Sequence, residues 1–284
     1  MIEIFAPEGI GEISAGDQLA PILLRALADA GGLRDGDIVC VTSKIISKSE
    51  GRFRESSQAA RALTEETVET VARRDRVRIV RNRQGIVQAA AGIDSSNVAA
   101  GSILLLPIDP DASAARLRAE LLAGSGRRVG VLITDTAGRA WRIGQTDQAI
   151  GASGVRTSLG YAGQTDDYGN DLVVTQMAVA DELAAAADLV KGKLRQCPVA
   201  VIRGLPELVV DAEEPAAQLQ RDQASDMFAR GTREAVLWAL LDAWDRTADY
   251  PRLVELDGEE LIDSTLAVLD GEESTLRRIL ATIA

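Results

Sequence analysis

Two acidic residues that could hold a metal ion follow apolar stretches of the chain. Asp135 and Thr136 come just after the apolar run 129–133, and Asp94 follows a second such run, with Asn97 three residues beyond it. Carboxylate, hydroxyl and amide oxygens favour Mg²⁺ or Mn²⁺ over zinc. Such ions commonly neutralise nucleotide phosphates during phosphoryl transfer. The spacing therefore indicates a metal- and phosphate-dependent enzyme, with a pair of acids that bind no metal as the alternative.

Two Ser-Lys pairs supply candidate phosphate-binding groups near the end of a predicted strand over 38–42. Ser43-Lys44 and Ser47-Lys48 follow that strand. Their hydroxyls can donate hydrogen bonds to a phosphate, and their ammonium groups can balance its charge. A solvated lysine face is the alternative interpretation. The chain contains neither G-x-x-x-x-G-K-[ST] nor a strand-linked G-x-G-x-x-G, which argues against P-loop and dinucleotide-binding folds.

The composition narrows the classes of function. The 284 residues are 46% hydrophobic and carry a formal charge of −12, so binding to nucleic acid or to anionic membranes is not expected. The absence of histidine excludes Ser-His and Cys-His triads and the usual zinc sites. Cys40 and Cys197 lie in or beside apolar runs, which is typical of free thiols in a reducing compartment. Without a signal pattern or a run of membrane-spanning length, the sequence predicts a cytoplasmic, soluble protein.

The elements that must position these residues alternate between strands and helices. We predict strands over 38–42, 129–133, 172–175 and 199–203, with a polar loop after 133 at the carboxyl end of a central strand. Helices are predicted from Asp109-Pro110 onward, over 56–74 and over 179–191, and a hairpin over 77–81 and 86–91. From residue 211 the chain becomes acidic and helical, with apolar faces that include Leu237, Leu241, Leu261 and Leu269. These patterns predict a mixed α/β fold, with a first domain over 1–210 and a helical C-terminal extension over 211–284.

Several of these motifs, in this order, resemble one protein family. They are Thr42-Ser43-Lys44 through Gly51-Arg52, Ala91-Gly92-Ile93-Asp94 through Asn97, Ile133-Thr134-Asp135-Thr136 through Arg139, Asp167-Tyr168-Gly169-Asn170, and Val179-Ala180-Asp181-Glu182 through Lys193. From about Ile4 to Leu205 the chain is similar to the F420-0:γ-glutamyl ligases, also called coenzyme F420:L-glutamate ligases. The resemblance implies the mixed α/β fold specific to that family and an intertwined homodimer.

The family's activity is also implied by the resemblance. It is a GTP-dependent ligation that requires Mn²⁺ or Mg²⁺, with K⁺ as a further candidate cation, and that joins L-glutamate to the lactyl carboxylate of coenzyme F420-0. A further, γ-linked glutamate is added in the same way. The γ-phosphate of GTP would activate the carboxylate as an acyl phosphate, which the glutamate amine attacks. Such a route needs no protein nucleophile, which suits a chain without histidine.

Carried over onto this sequence, the family's motifs assign the binding residues. The GTP contacts fall on Ile10, Gly11, Glu12, Ile13, Ser43, Lys48, Asn97, Lys191, Gly192 and Lys193. The metal ligands fall on Asp94, Asp135 and Thr136, and no residue is assigned as a catalytic group. In the loop that begins at Lys191, some members place a glutamate as a second metal ligand where this chain has Lys193. An ammonium cannot ligate a cation, so either one metal binds less tightly or another group supplies the oxygen.

Two other classes of function stay open at this point. One is a metal-dependent hydrolase in which Asp94 and Asp135 activate water, and a requirement for GTP separates the ligase from it. The other is a non-catalytic relative of the family that serves as a binding or dimer-scaffold protein. Intact acids and Ser-Lys pairs argue against that second class, whereas Lys193 argues weakly for it.

Overall fold

This computed structural model describes residues 1–173 and 175–284, which form two compact units. The first unit comprises Met1–Ala60 and Ile93–Gln220, and the second comprises Arg61–Gly92 and Arg221–Ala284. The predicted boundary at residue 210 therefore lies close to the change of unit after Gln220. Residues 61–92, which the sequence placed in the first domain, make their contacts within the second unit.

The helices and strands follow one another as in a mixed α/β protein, so the predicted fold class is confirmed. The strands are β1 (Glu3–Phe5), β2 (Ile38–Thr42), β3 (Phe53–Glu55), β4 (Thr67–Arg74), β5 (Val77–Asn82), β6 (Val87–Ala89), β7 (Ser102–Leu104), β8 (Gly130–Arg139), β9 (Arg142–Ser153), β10 (Leu159–Gly160), β11 (Gln164–Thr165), β12 (Asp171–Leu172), β13 (Gln176–Met177) and β14 (Val199–Arg203). The helices are α1 (Leu19–Asp29), α2 (Ser43–Ser49), α3 (Ala59–Glu66), α4 (Pro110–Ser125), α5 (Val179–Lys191), α6 (Thr232–Ala243), α7 (Tyr250–Leu253), α8 (Gly258–Leu266) and α9 (Glu273–Leu280).

A five-stranded sheet forms the centre of the first unit, in the order β1-β14-β2-β8-β9. β2 and β8 are parallel neighbours, whereas the other pairs in this sheet are antiparallel. The central strands are almost continuously apolar and buried, as expected when both faces of a sheet are covered. The strands predicted over 38–42 and 199–203 are confirmed at their full lengths.

The loop predicted after residue 133 is wrong. β8 continues through Arg139 and pairs with β9, which places Thr136 opposite Asp147 and Asp135 opposite Gln148. Because successive side chains point to opposite faces of a strand, Thr134 and Thr136 share one face and Asp135 projects from the other. The candidate acids therefore lie on a paired strand and not on a flexible loop.

Helices cover the two faces of this sheet. α5 packs against β9, β14 and β1, and buries Ala180, Leu183, Ala184 and Ala187 in the core of the unit. α4 packs against β8, β9 and α1. Both helix predictions are confirmed: α5 covers 179–191, and Asp109 caps α4 by accepting a hydrogen bond from Ala112 N at 2.9 Å.

The second unit contains the three-stranded sheet β4-β5-β6 and the C-terminal helices. The helix predicted over 56–74 is wrong beyond Glu66, because the β-branched run from Thr67 forms β4 and pairs with β5. The predicted hairpin is confirmed by the pairing of β5 with β6. The predicted apolar faces of the helices are confirmed by a cluster that includes Leu237, Leu241, Leu261 and Leu269.

One strand prediction concerns a region that the structure covers in part. The predicted strand over 172–175 includes Val174, which lies outside the described residues; β12 ends at Leu172 and β13 begins at Gln176.

The helices were also compared with the length and apolarity that a membrane span needs. None of the described helices is long and apolar enough to cross a membrane.

Candidate functional site

The first candidate metal ligand, Asp135, accepts a hydrogen bond from a serine hydroxyl. Ser43 Oγ, at the start of α2, donates a hydrogen bond of 2.7 Å to Asp135 Oδ1. The pKa of Asp135 is raised to about 6, chiefly by burial and also by the negative charges of Asp147 and Asp94, against the lowering effects of the Ser43 hydrogen bond and the Lys44 charge. Asp135 is therefore a carboxylate whose negative charge is poorly compensated, which favours the approach of a cation.

The second candidate ligand, Asp94, is held by an ammonium group. Lys44 Nζ lies 2.6 Å from Asp94 Oδ2 and donates a second hydrogen bond of 2.6 Å to Ser96 Oγ. Ser96 N donates to Asp94 Oδ1 at 2.6 Å, and Ser96 Oγ donates to Oδ2 at 3.0 Å. Burial acts against the charged form of Asp94, but the hydrogen bonds from Lys44 and Ser96 and the charge of Lys44 outweigh it and hold the pKa of Asp94 below its ordinary value. The negative charge of Asp94 is thus neutralised by a direct ion pair, whereas that of Asp135 is not.

A third pair joins two of the predicted GTP contacts. Lys48 Nζ, in the last turn of α2, forms an ion pair with Glu12. The Lys48 side chain is buried, whereas that of Glu12 is exposed. The segment around Glu12 has no regular secondary structure, and Ile10 and Ile13 anchor it in the core while Gly11 is exposed. The pairing brings the 10–13 segment and α2 together, as a shared binding role requires.

Thr136 belongs to a buried network on the opposite face of β8. Its Oγ1 donates to Asp147 Oδ1 at 2.7 Å, and Thr134 Oγ1 donates to Asp147 Oδ2 at 2.8 Å. Lys191 Nζ, at the end of α5, lies 2.6 Å from Asp147 Oδ2 and donates to Thr134 Oγ1 at 2.7 Å. The side chains of Lys191 and Asp147 are each only 4% exposed. The Thr136 hydroxyl is therefore held by Asp147, on the face of β8 opposite the Asp135 carboxylate.

The remaining predicted GTP contacts lie at the end of α5, just beyond it, and in the turn after Asp94. Gly192 ends α5 with a φ of +60°, and Lys193 beyond it is exposed. Asn97 is exposed and has a φ of +55°, in the turn that follows Asp94. Lys191 differs from them because its ammonium is buried against Asp147. The GTP-binding roles of all ten residues stay predictions.

The donor set fits a hard divalent cation better than a softer one. Asp94 and Asp135 offer carboxylate oxygens, and the charge of Asp94 raises the pKa of Asp135. Within residues 1–173 and 175–284, no three His, Cys, Asp or Glu side chains are grouped to hold a metal ion. Mg²⁺ commonly binds through one or two carboxylates and completes its shell with waters and substrate phosphates. Two acids beside phosphate-binding candidates match that pattern.

The sequence-based search missed the role of Asp147. Its position suggested only a polar stretch, whereas the structure pairs it with Thr136 across the β8–β9 hairpin. The signal was present in the alternation of Thr134 and Thr136, which is typical of a strand with one polar face. Ser96 was missed as well, although an aspartate carboxylate often accepts a hydrogen bond from the backbone N–H two residues further on.

Comparison with known proteins identifies the family. Residues 9–204 match the family model described as F420-0:Gamma-glutamyl ligase. The coenzyme F420:L-glutamate ligase of Archaeoglobus fulgidus is 39% identical over an alignment of 249 residues, which covers 81% of this chain and 97% of the relative. The protein of the same name from Methanothermobacter thermautotrophicus is 34% identical over an alignment of 248 residues, which covers 80% of this chain and 98% of the relative. That from Halobacterium salinarum is 38% identical over an alignment of 225 residues, which covers 70% of this chain and 85% of the relative.

The matched region spans every residue of the candidate site. The acids, the lysines of α2, the 10–13 segment and the end of α5 all lie between residues 9 and 204. The chain belongs to the F420-0:γ-glutamyl ligase family, which confirms the resemblance drawn from its motifs.

Proposed function

We propose that this chain, as a member of that family, is a ligase of coenzyme F420 biosynthesis that joins L-glutamate to coenzyme F420-0 with hydrolysis of GTP. Relatives that are 34–39% identical over most of the chain carry the name coenzyme F420:L-glutamate ligase, which supports the reaction class. The observation that carries the proposal is the juxtaposition, inside the matched region, of two acids with Ser43 and Lys44 of α2. Cations and acids so close together are suited to a reaction between anions.

The chemistry explains why GTP would be needed. An amine does not displace oxide from a carboxylate, because oxide is a very poor leaving group. Transfer of the γ-phosphoryl group to the carboxylate oxygen of F420-0 forms an acyl phosphate and releases GDP. The glutamate amine then attacks the acyl carbon, the amide bond forms, the amine loses a proton, and inorganic phosphate leaves. The protein must bind three anionic reactants and shield them from one another.

The residues of α2 are placed for that task. Lys44 and Lys48 are four residues apart and so project from one side of the helix. Lys48 is anchored to Glu12 and is proposed to contact the phosphates of GTP together with the 10–13 segment. Ser43 orients Asp135 through its hydroxyl. Asp94 and Asp135 would hold Mn²⁺ or Mg²⁺, which when bound neutralises phosphate charge during transfer.

Several properties of the family complete the proposal. We propose a homodimer, GTP as the nucleotide, K⁺ as a further candidate cation, a cytoplasmic location and the addition of a further, γ-linked glutamate. The support for these properties is membership of the family. The net charge of −12 also favours discrete cationic contacts over a broadly basic surface for the anionic substrates.

A product assay tests this function. The purified chain is incubated with F420-0, L-glutamate, GTP and Mn²⁺, and the expected product gains the mass of one or two glutamyl residues. Omission of GTP or chelation of the metal should abolish the product. Asp135→Asn should lose most of the activity, whereas the exposed Asp29→Asn, a matched control in α1, should keep it.

The same assay separates the alternatives. Hydrolysis of a phosphoester or amide without any need for GTP would indicate a metal-dependent hydrolase. A folded protein that binds GTP or F420-0 but yields no product under any of these conditions would indicate a non-catalytic relative. Either result would refute the ligase proposal.

A further inference from the structure

Asp94 is fixed in place, and its charge is already balanced by the protein. Its backbone forms two hydrogen bonds with Leu104, of 2.8 and 3.0 Å, which prevent the residue from moving away. Both carboxylate oxygens are occupied, Oδ1 by Ser96 N and Oδ2 by Lys44 Nζ and Ser96 Oγ. Asp135, in contrast, accepts from the neutral hydroxyl of Ser43. A divalent cation that binds both acids would therefore meet the positive charge of Lys44 at Asp94 and compete with it for the carboxylate.

The contact between Lys44 and Asp94 is of a kind that another cation can replace. The ammonium meets a single oxygen of Asp94, and the Lys44 side chain is 17% exposed. By comparison, Arg203 binds Asp37 through two parallel bonds of 2.8 Å, an arrangement that is more rigid. Lysine carries its charge on a flexible four-carbon stem with three rotatable donors, so it can change partners where an arginine fork cannot easily do so.

The positions of the lysines in the sequence agree with a role of Lys44 as an exchangeable cation. The chain contains 27 arginines but only four lysines, which are Lys44, Lys48, Lys191 and Lys193. Lys44 and Lys48 lie on α2, and Lys191 and Lys193 lie at and just beyond the end of α5. Elsewhere the surface charge and the ion pairs are built with arginine. A compact and movable ammonium is thus confined to the region of the candidate site.

We propose that Lys44 is an exchangeable internal cation: it neutralises Asp94 in the metal-free protein, gives way to the divalent metal, and is then free to bind an anionic substrate. The inference rests on the proposed function for the identity of that substrate, a nucleotide phosphate. The released ammonium stays on the first turn of α2, one residue after Ser43. Loading of the metal would therefore create a new cationic contact, and metal and nucleotide would favour each other's binding.

Metal binding in the absence of nucleotide tests the exchange. Lys44→Met removes the competing charge but keeps the length of the side chain, and its affinity for Mn²⁺, measured by calorimetry, should rise on the order of tenfold, as for the loss of one charge-assisted contact. Lys44→Arg keeps a cation on Asp94 and should bind Mn²⁺ no more tightly than the wild type. Equal or weaker Mn²⁺ binding by a folded Lys44→Met protein would overturn the proposal.

The wild-type protein offers a second measurement that needs no variant. Amine-specific acetylation, quantified by mass spectrometry of peptides, reports each of the four lysines separately. Saturating Mg²⁺ should increase the labelling of Lys44 severalfold, whereas Lys191, buried against Asp147, should stay protected. Addition of GDP to the Mg²⁺-loaded protein should protect Lys44 again. Labelling of Lys44 that does not respond to Mg²⁺, at a concentration shown to bind, would also overturn the exchange.

These outcomes are separable from the proposed function. If Lys44→Met binds Mn²⁺ more tightly but the wild type makes no product from F420-0, glutamate and GTP, the exchange stands and the ligase proposal fails. If the wild type is an active ligase but both Lys44 measurements show no effect, the ligase proposal stands and Lys44 is a fixed ion-pair partner. A wild type and a Lys44→Met variant that both bind no divalent metal would overturn the inference.

Discussion

The buried pair of Lys191 and Asp147 allows a quantitative prediction about stability. Each side chain is 4% exposed, and Lys191 Nζ binds Asp147 Oδ2 at 2.6 Å and Thr134 Oγ1 at 2.7 Å. Lys191→Met preserves most of the apolar stem but leaves the Asp147 carboxylate buried without its counter-ion. Removal of one partner from a buried ion pair typically costs about 3–5 kcal/mol. At about 2–4 °C per kcal/mol for a domain of this size, the melting temperature should fall by roughly 6–20 °C.

The assay and its controls isolate the charge from the packing. Unfolding in urea is followed by circular dichroism, and amide hydrogen exchange in the β9 segment reports whether the loss is local to the hairpin. Lys193→Met alters an exposed lysine two residues away and should change the free energy of unfolding by less than about 0.5 kcal/mol.

A second variant tests the cause of the loss. Asp147→Asn combined with Lys191→Met removes both charges and should recover a large part of the stability, since the carboxylate is no longer buried unpaired. Two results would contradict the proposed cause. One is a Lys191→Met protein that is as stable as Lys193→Met. The other is a double variant that is less stable than Lys191→Met by as much as a second, independent substitution would cost.

Other predictions concern the candidate site and the buried thiol of Cys40. Asp135→Asn should fold normally yet lose most of the ligase activity and most of its affinity for Mn²⁺ in calorimetry; near-normal turnover with full metal content would contradict the assigned role. Lys48→Ala should raise the apparent KM for GTP by roughly tenfold or more and that for glutamate far less, because a charge-assisted phosphate contact contributes about 1.5–3 kcal/mol. Burial raises the pKa of the Cys40 thiol to about 12, so at pH 9 only about 0.1% is thiolate and iodoacetamide should leave Cys40 unlabelled until the protein is denatured. Rapid labelling of native Cys40 at pH 9 would contradict its burial.

The parts of the fold that local sequence determines were predicted well. α4 begins where Asp109 and Pro110 provide a cap and a suitable first residue, and α5 ends where Gly192 supplies a positive φ. These features depend on neighbours in sequence, so a single chain is enough to find them. The same holds for the strand 38–42, whose apolar, β-branched residues form a continuous buried run.

The errors arose where distant pairing decides the structure. Residues 67–74 contain charges at spacings that a helix would also allow, but pairing with β5 makes them a strand. The second half of β8 is polar, which locally favours a loop, yet β9 supplies its backbone hydrogen bonds and Asp147 accepts from the Thr136 hydroxyl. Local propensity is a weak guide in such cases, because the deciding contacts lie elsewhere in the chain.

The candidate site shows the same division. The identities of Asp94, Asp135, Ser43 and Lys48 could be read from motifs, and the family assignment is confirmed. Which acid binds which partner could not be predicted, because Lys44 meets Asp94 and Ser43 meets Asp135 across separate elements of the unit. The different charge balance of the two acids follows only from those contacts.

The central claim, that GTP activates the carboxylate of F420-0, is tested most directly by following its oxygen. F420-0 labelled with ¹⁸O in the lactyl carboxylate is incubated with the protein, L-glutamate, GTP and Mn²⁺, and the released inorganic phosphate is analysed by mass spectrometry. An acyl phosphate intermediate requires that one labelled oxygen leaves with the phosphate, in step with formation of the glutamyl product. Phosphate that is free of ¹⁸O while glutamylated product accumulates would contradict the account.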